Sequence, residues 1–127
     1  MKEIRTSSAP APVGPYVQAV QHGDLIFASG QIPLDPETGK LVDGDIEAQT
    51  KRVLANLEAV LLEAGSSLEQ VVRTTVYLID LSLFPRVNAI YAEHFTGNPP
   101  PARATVGVAA LPLGAQVEID AIATTAE

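Results

Sequence analysis

The sequence predicts an α/β (α+β) domain in which two helices cover one face of a single sheet. Three observations carry that expectation. Strand-like and helix-like segments follow in the order ββ, α, β, α, ββ. The helical segments carry apolar stripes, at three-to-four spacing in the first, and the strand segments are rich in β-branched and aromatic residues. The length of 127 residues suits one domain with a real core and is short for two, so residues 1–127 read as one unit.

Taken in order, Tyr16–Val20 and Leu25–Ala28 read as short strands joined by the turn Gln21-His22-Gly23-Asp24. The looped excursion Pro33-Leu34-Asp35-Pro36-Glu37-Thr38-Gly39-Lys40 follows. Asp45 is a good N-cap for a helix reaching about Ala64, with Gly65 as its stop. Ile46, Val53, Leu54, Leu57, Val60, Leu61 and Ala64 form its buried stripe. Val71–Ile79 is a strand whose alternating sets, Val72/Thr74/Val76/Leu78 and Val71/Thr75/Tyr77/Ile79, both lack strong polarity, so both faces are expected to be covered. Ser82 caps a second helix that tolerates Pro85 in its first turn and ends at Gly97. Strands Ala104–Ala109 and Gln116–Ala123 close the chain across Leu111-Pro112-Leu113-Gly114-Ala115. Two helices leave one sheet face bare, and neighbouring subunits in a closed cyclic oligomer are expected to cover it. A hydrophobic content of 46% with positive mean hydropathy points the same way.

Composition excludes several function classes. A net charge of −7 without a basic stripe argues against a nucleic-acid partner. With no cysteine there is no disulfide, thiolate nucleophile or Cys-ligated metal. His22 and His94 form no ligand pair, so no metal is expected. Lys2, Lys40 and Lys51 sit where none would be desolvated for Schiff-base chemistry, and no phosphate-cradling glycine motif occurs. The reaction expected is therefore cofactor-free. The N-terminus lacks the apolar core of a signal peptide, and no run approaches the ~18 apolar residues of a membrane helix, so a cytoplasmic protein is expected.

Arg103 stands out, following Pro99-Pro100-Pro101-Ala102 at the mouth of an apolar strand. Its planar fork suits two-point capture of a carboxylate. Glu118 interrupts another strand in Gln116-Val117-Glu118-Ile119-Asp120-Ala121-Ile122-Ala123, on a face shared with Asp120 and Ile122. Either both carboxylates are solvated on an open face, or Glu118 is held for chemistry beneath a neighbouring subunit. Asn88, with Phe84, Tyr91 and Phe95 at helical spacing, reads as a core-side amide bonding backbone or as a ligand contact. Tyr16 is an ordinary strand aromatic or a hydroxyl aimed into a cleft. Ser29-Gly30 ends a strand where a bare backbone amide could approach a ligand.

As a set, these segments resemble the RidA (YjgF-like) family of reactive-intermediate deaminases. The segments are Ala11-Pro12-Val13-Gly14-Pro15-Tyr16, Ala28-Ser29-Gly30-Gln31-Ile32-Pro33, Val87-Asn88, Pro101-Ala102-Arg103 and Val117 through Ala123. The resemblance implies a chorismate-mutase-like fold: a mixed six-stranded sheet with two helices on one face, assembled as a homotrimer with a site in each inter-subunit cleft. It implies hydrolysis of 2-imino acids and their enamine tautomers, such as 2-aminoacrylate, to 2-keto acids and ammonia. By position, Arg103 would bind the carboxylate and Glu118 would handle the water. Tyr16, Ser29, Gly30, Phe84 and Asn88 would line the site. Thr105 stands where many members have cysteine, which argues against a thiol role and leaves its hydroxyl or backbone as the contact. Rival expectations are an RNA-cleaving protein, a non-catalytic ligand-binding or chaperone-like trimer and, more weakly, a chorismate mutase.

Overall fold

A computed structural model describes residues 1–125. In chain order the elements are β1 (Lys2–Ile4), β2 (Ala19–His22), β3 (Leu25–Gln31), α1 (Ile46–Glu63), β4 (Val71–Leu78), α2 (Phe84–His94), β5 (Ala102–Gly107) and β6 (Val117–Thr124). The strands make one sheet in the order β1-β2-β3-β6-β4-β5. All neighbours run antiparallel except β4 and β5, which are parallel because α2 serves as the crossover between them.

One face of the sheet is sealed. Asp45 caps α1, its side chain accepting from the Ala48 N–H at 2.9 Å, and Gly65 takes the left-handed turn that ends it, φ 77°. The expected stripe of α1 is buried, with Val53, Leu54, Leu57, Val60 and Leu61 fully so and only Ala64 partly exposed. They meet Ile26 of β3 and Val117, Ile119, Ala121 and Ala123 of β6, while α2 adds Val87, Ile90 and Tyr91. Each buried valine, leucine or isoleucine contributes roughly 1.5–3 kcal/mol, so this alternation on β6 decides which face turns inward.

The other face is bare in a single copy. Val20, Phe27, Ile122, Arg73 and Ala102 fall in one cross-strand row, and Phe27 remains 40% exposed. Both helices lie on the opposite side. The expectation that both faces of β4 are covered therefore fails within one chain.

Several boundaries differ from the sequence expectations. The second strand runs Ala19–His22 and leaves Tyr16 outside it, because residues 5–18 form an arm rather than a strand. The buried Gln18 fastens that arm: its Nε2 donates to the carbonyls of Thr6, Ala9 and Pro10, and its Oε1 accepts from the Thr6 N–H. Strand β1 had no periodicity to reveal it in three residues. Asp80, not Ser82, is the capping side chain, accepting from the Ser82 N–H of a short turn before α2. Helix α2 stops at His94, not at Gly97. Strand β5 is Ala102–Gly107, two residues earlier than Ala104–Ala109. A register shift between Val71 and Arg73 buries Val71 and turns Val72 outward, reversing the expected alternation there.

Candidate active site

Arg103 belongs to the helix-covered side. It registers with Thr74 across the parallel pair, and paired residues share a face. Above it, Phe84, Asn88 and Tyr91 form one stripe of α2 at four- and three-residue spacing. The guanidinium carbon lies 4.7 Å from the Tyr91 ring centre and 5.1 Å from that of Phe84. Its Nη1 donates to Asn88 Oδ1 at 2.8 Å. Tyr91 is itself pinned, because its hydroxyl shares a 2.7 Å hydrogen bond with the buried Thr74. Two aromatic faces and an amide therefore orient the cation.

No carboxylate pairs with Arg103 among the described residues, where the ion pairs are Arg5–Glu3 and Arg86–Glu47. One N–H is engaged by Asn88, and the rest of the fork is available to an incoming anion. Asn88 is half-buried at the rim, not on the core side, and its side-chain oxygen accepts from the guanidinium. Thr105 shares this face two residues along β5, in register with Val76.

Glu118 points to the bare side, in register with Tyr77. It is half-buried, and burial raises its carboxyl above the ordinary range, with the like charge of Asp120 adding to the rise. Asp120 is fixed beside it, accepting from the Thr75 N–H at 3.2 Å and from the Tyr77 hydroxyl at 3.0 Å. Burial, then Asp120, push the Tyr77 hydroxyl upward as well, which keeps it a donor.

Gly30 stands against Glu118. An irregularity in β3 between Ala28 and Gln31 brings it there, and a Cβ on Gly30 would overlap Glu118 Oε2 and lie 2.8 Å from Cδ. The glycine is thus needed to make room for the carboxylate, a role beyond the backbone approach expected of it. The donor groups of Ser29 are occupied: its hydroxyl donates to the Val17 carbonyl at 2.6 Å and its N–H to the Gln18 carbonyl at 2.9 Å. Tyr16 is 52% exposed, its hydroxyl accepting from the Val13 N–H at 3.4 Å. It borders a cleft of about 260 Å³ that also reaches Gly30.

The expected residues therefore fall into two groups. Arg103, Phe84, Asn88 and Thr105 occupy the helix side near β5; Glu118, Gly30, Ser29 and Tyr16 cluster around β3 and the start of β6. One chain does not bring the two groups together. Sequence reasoning did not assign site roles to Tyr91, Gln18 or Asp120. The spacing of Phe84 and Tyr91 carried a signal for the first, whereas the contacts of Gln18 are long-range and leave no local pattern.

The family model described as endoribonuclease L-PSP matches residues 6–125. A RutC family protein of Pyrococcus abyssi is 53% identical over 120 residues, 94% of either chain. Reactive Intermediate Deaminase A, chloroplastic, of Arabidopsis thaliana is 49% identical over 121 residues, 95% of this chain and 64% of that protein. The solved structure of Escherichia coli TdcF with bound serine superposes with a TM-score of 0.92 at 38% identity, covering 99% of this chain and 100% of that one. The fold, six mixed strands with two helices on one face, is the chorismate-mutase-like fold. The chain belongs to the RidA (YjgF-like) family, which includes reactive intermediate deaminases.

Proposed function

We propose that the chain is a hydrolytic deaminase that converts 2-imino acids and their enamine tautomers to 2-keto acids and ammonia, in clefts between copies of a cyclic homotrimer. One observation carries this reading: Arg103 is a positioned cation without a carboxylate partner among the described residues, poised on Asn88, Phe84 and Tyr91. A guanidinium so placed suits a planar carboxylate. The name of the Arabidopsis relative and the serine bound to TdcF support a small amino-acid-like ligand.

The chemistry follows from the substrate. With its carboxylate on the fork of Arg103, the C=N carbon is held at the Glu118 of the adjoining copy. Glu118 accepts a proton from water as the oxygen bonds to that carbon and the π pair moves to nitrogen, then delivers the proton to the nitrogen. The carbinolamine results. Glu118 next takes the hydroxyl proton and hands it to the amine; the C–N bond breaks, ammonia leaves and the carbonyl forms. One water is consumed and no electrons change hands. A carboxyl raised above its ordinary range suits a group that must accept and return protons. Such acid–base assistance is worth ~10²–10⁴-fold. Enamines enter by tautomerising to the imine, with 2-iminopropanoate and 2-iminobutanoate as the simplest cases.

The test is keto-acid release from freshly generated imine. Arg103→Ala is expected to reduce the rate to that of buffer, and an alanine variant as fast as wild type overturns the reading. The endoribonuclease description of the family model raises RNA cleavage as a second reading. A net charge of −7 opposes a phosphate-backbone partner. RNA turnover that survives Arg103→Ala would favour it.

A further inference from the structure

We propose that a hollow between α1 and the loop preceding it is a second binding site, which takes a free α-amino acid as its zwitterion. The hollow shares no residue with the groups around Arg103 and Glu118, and its occupancy is independent of the deaminase reading.

The hollow, of about 370 Å³, is lined by Val42, Asp43, Ala48, Lys51, Arg52 and Ala55. The last four are neighbours on α1 at three- and four-residue spacing, and the two short alanines leave the space that the cations border. Lys51 and Arg52 are positive and Asp43 is negative, yet none of them pairs with another. The ion pairs among the described residues are Arg5–Glu3 and Arg86–Glu47. Opposite charges thus border one space without meeting, which is the arrangement a ligand carrying both signs requires.

Arg52 is held in place. Its Nε donates at 3.0 Å to Oδ1 of Asn56, one turn further along α1, and Asn56 is fully buried. Nδ2 of Asn56 donates in turn to the carbonyls of Leu34 at 2.9 Å and Ile32 at 3.3 Å. The guanidinium is therefore fixed from its Nε edge, with the terminal nitrogens left for a ligand. The facing wall is tied to the same segment, because the Val42 N–H donates to the Pro33 carbonyl at 2.9 Å. With both walls anchored on Ile32-Pro33-Leu34, little ordering remains for a ligand to impose. Ile32 and Leu34 also line the cleft that reaches Gly30, so Asn56 joins the two cavities by hydrogen bonds.

The charges select the ligand. The two terminal nitrogens of a guanidinium match the two oxygens of a carboxylate, and Lys51 adds a second positive charge. A plain oxyanion such as phosphate would bring like charge against Asp43. An α-amino acid answers both demands: its carboxylate faces Arg52 and Lys51, and its ammonium, one carbon away, faces Asp43. Val42, Ala48 and Ala55 offer apolar surface to a short aliphatic side chain.

The experiment titrates full-length Arg103→Ala, in which the cation of the proposed active site is gone, and follows the side-chain amide of Asn56 by NMR. The probes are L-valine, 3-methylbutanoate (the same carbon chain without the ammonium) and inorganic phosphate. Valine is expected to shift the Asn56 amide saturably and to bind about tenfold or more tighter than either other probe. Arg52→Gln should weaken valine about tenfold, and Lys51→Gln, at an exposed position that leaves Asn56 untouched, about threefold. Asp43→Asn should abolish the preference for valine over 3-methylbutanoate. No saturable shift with valine below about 50 mM overturns the site. So does phosphate binding as tightly as valine, or valine affinity that neither Arg52→Gln nor Lys51→Gln changes.

Discussion

Arg103 and Glu118 leave the same sheet on opposite faces with β4 between them: Arg103 registers with Thr74 beneath α2, and Glu118 with Tyr77 on the bare side. No side-chain rotation brings them together through a sheet. A second copy seated on the bare face can present one group to the other, which makes the assembly part of the proposed chemistry.

Complementation between inactive variants tests this division. Arg103→Ala and Glu118→Gln are each expected to be inactive alone. Co-refolded in equal amounts, they should regain about one quarter of the wild-type activity, since one interface in four then unites an intact Arg103 with an intact Glu118. No recovery in mixed oligomers would place both groups in one chain's site and refute the split.

The orientation of the guanidinium is a separate matter. Arg103→Lys keeps the charge and loses the fork, and kcat/KM should fall on the order of 100-fold. Asn88→Ala removes the single hydrogen bond at 2.8 Å and should cost about tenfold, mainly in KM. Steady-state kinetics on one imine distinguishes the two.

Gly30 predicts a non-additive pair. Gly30→Ala must displace the Glu118 carboxylate, and activity should fall at least about tenfold with the fold retained. The double variant Gly30→Ala/Glu118→Gln should be no slower than Glu118→Gln alone, because the alanine acts through the glutamate. Additive losses would separate the two residues.

The raised Glu118 carboxyl makes a pH prediction. If the ionised form accepts the water proton, the acid limb of kcat/KM lies above that of an ordinary glutamate. Asp120→Asn removes the like charge and should move the limb downward. For stability the sign is fixed too. A carboxyl raised in the folded state favours folding where it is protonated, and that contribution is lost as pH rises through the folded value. Glu118→Gln should therefore raise Tm at neutral pH and leave it nearly unchanged at acid pH.

The bare face makes the last prediction. Phe27→Asp puts a charge between Val20 and Ile122 on the face that a second copy is expected to cover. Sedimentation should show monomers, and deaminase activity should vanish with both half-sites still folded.

Much of the fold was legible locally. The stripe of α1, its Asp45 cap and its Gly65 stop are rules of one turn of helix, and all three stand in the structure. The alternation of β6 likewise put Glu118, Asp120 and Ile122 on one face. What was missed depends on distant partners. Strand β1 exists because Lys2–Ile4 finds the edge of β2, and Val72 faces outward because of a register shift no propensity encodes. Asn88 looked like a core residue from its helical neighbours, yet a strand arriving from outside the helix gives it Arg103 instead.

By itself the sequence determined helix α1 with both its ends, the inward face of β6 and the placing of Glu118 on the opposite face, because each depends on side-chain chemistry repeating over a few positions. Tertiary structure alone decided that Arg103 and Glu118 belong to different faces, that Gly30 makes room for a carboxylate and that Gln18 ties the arm beside the cleft. Those facts arise from strand order and register, which bring together residues far apart in the chain, and no local pattern carries them.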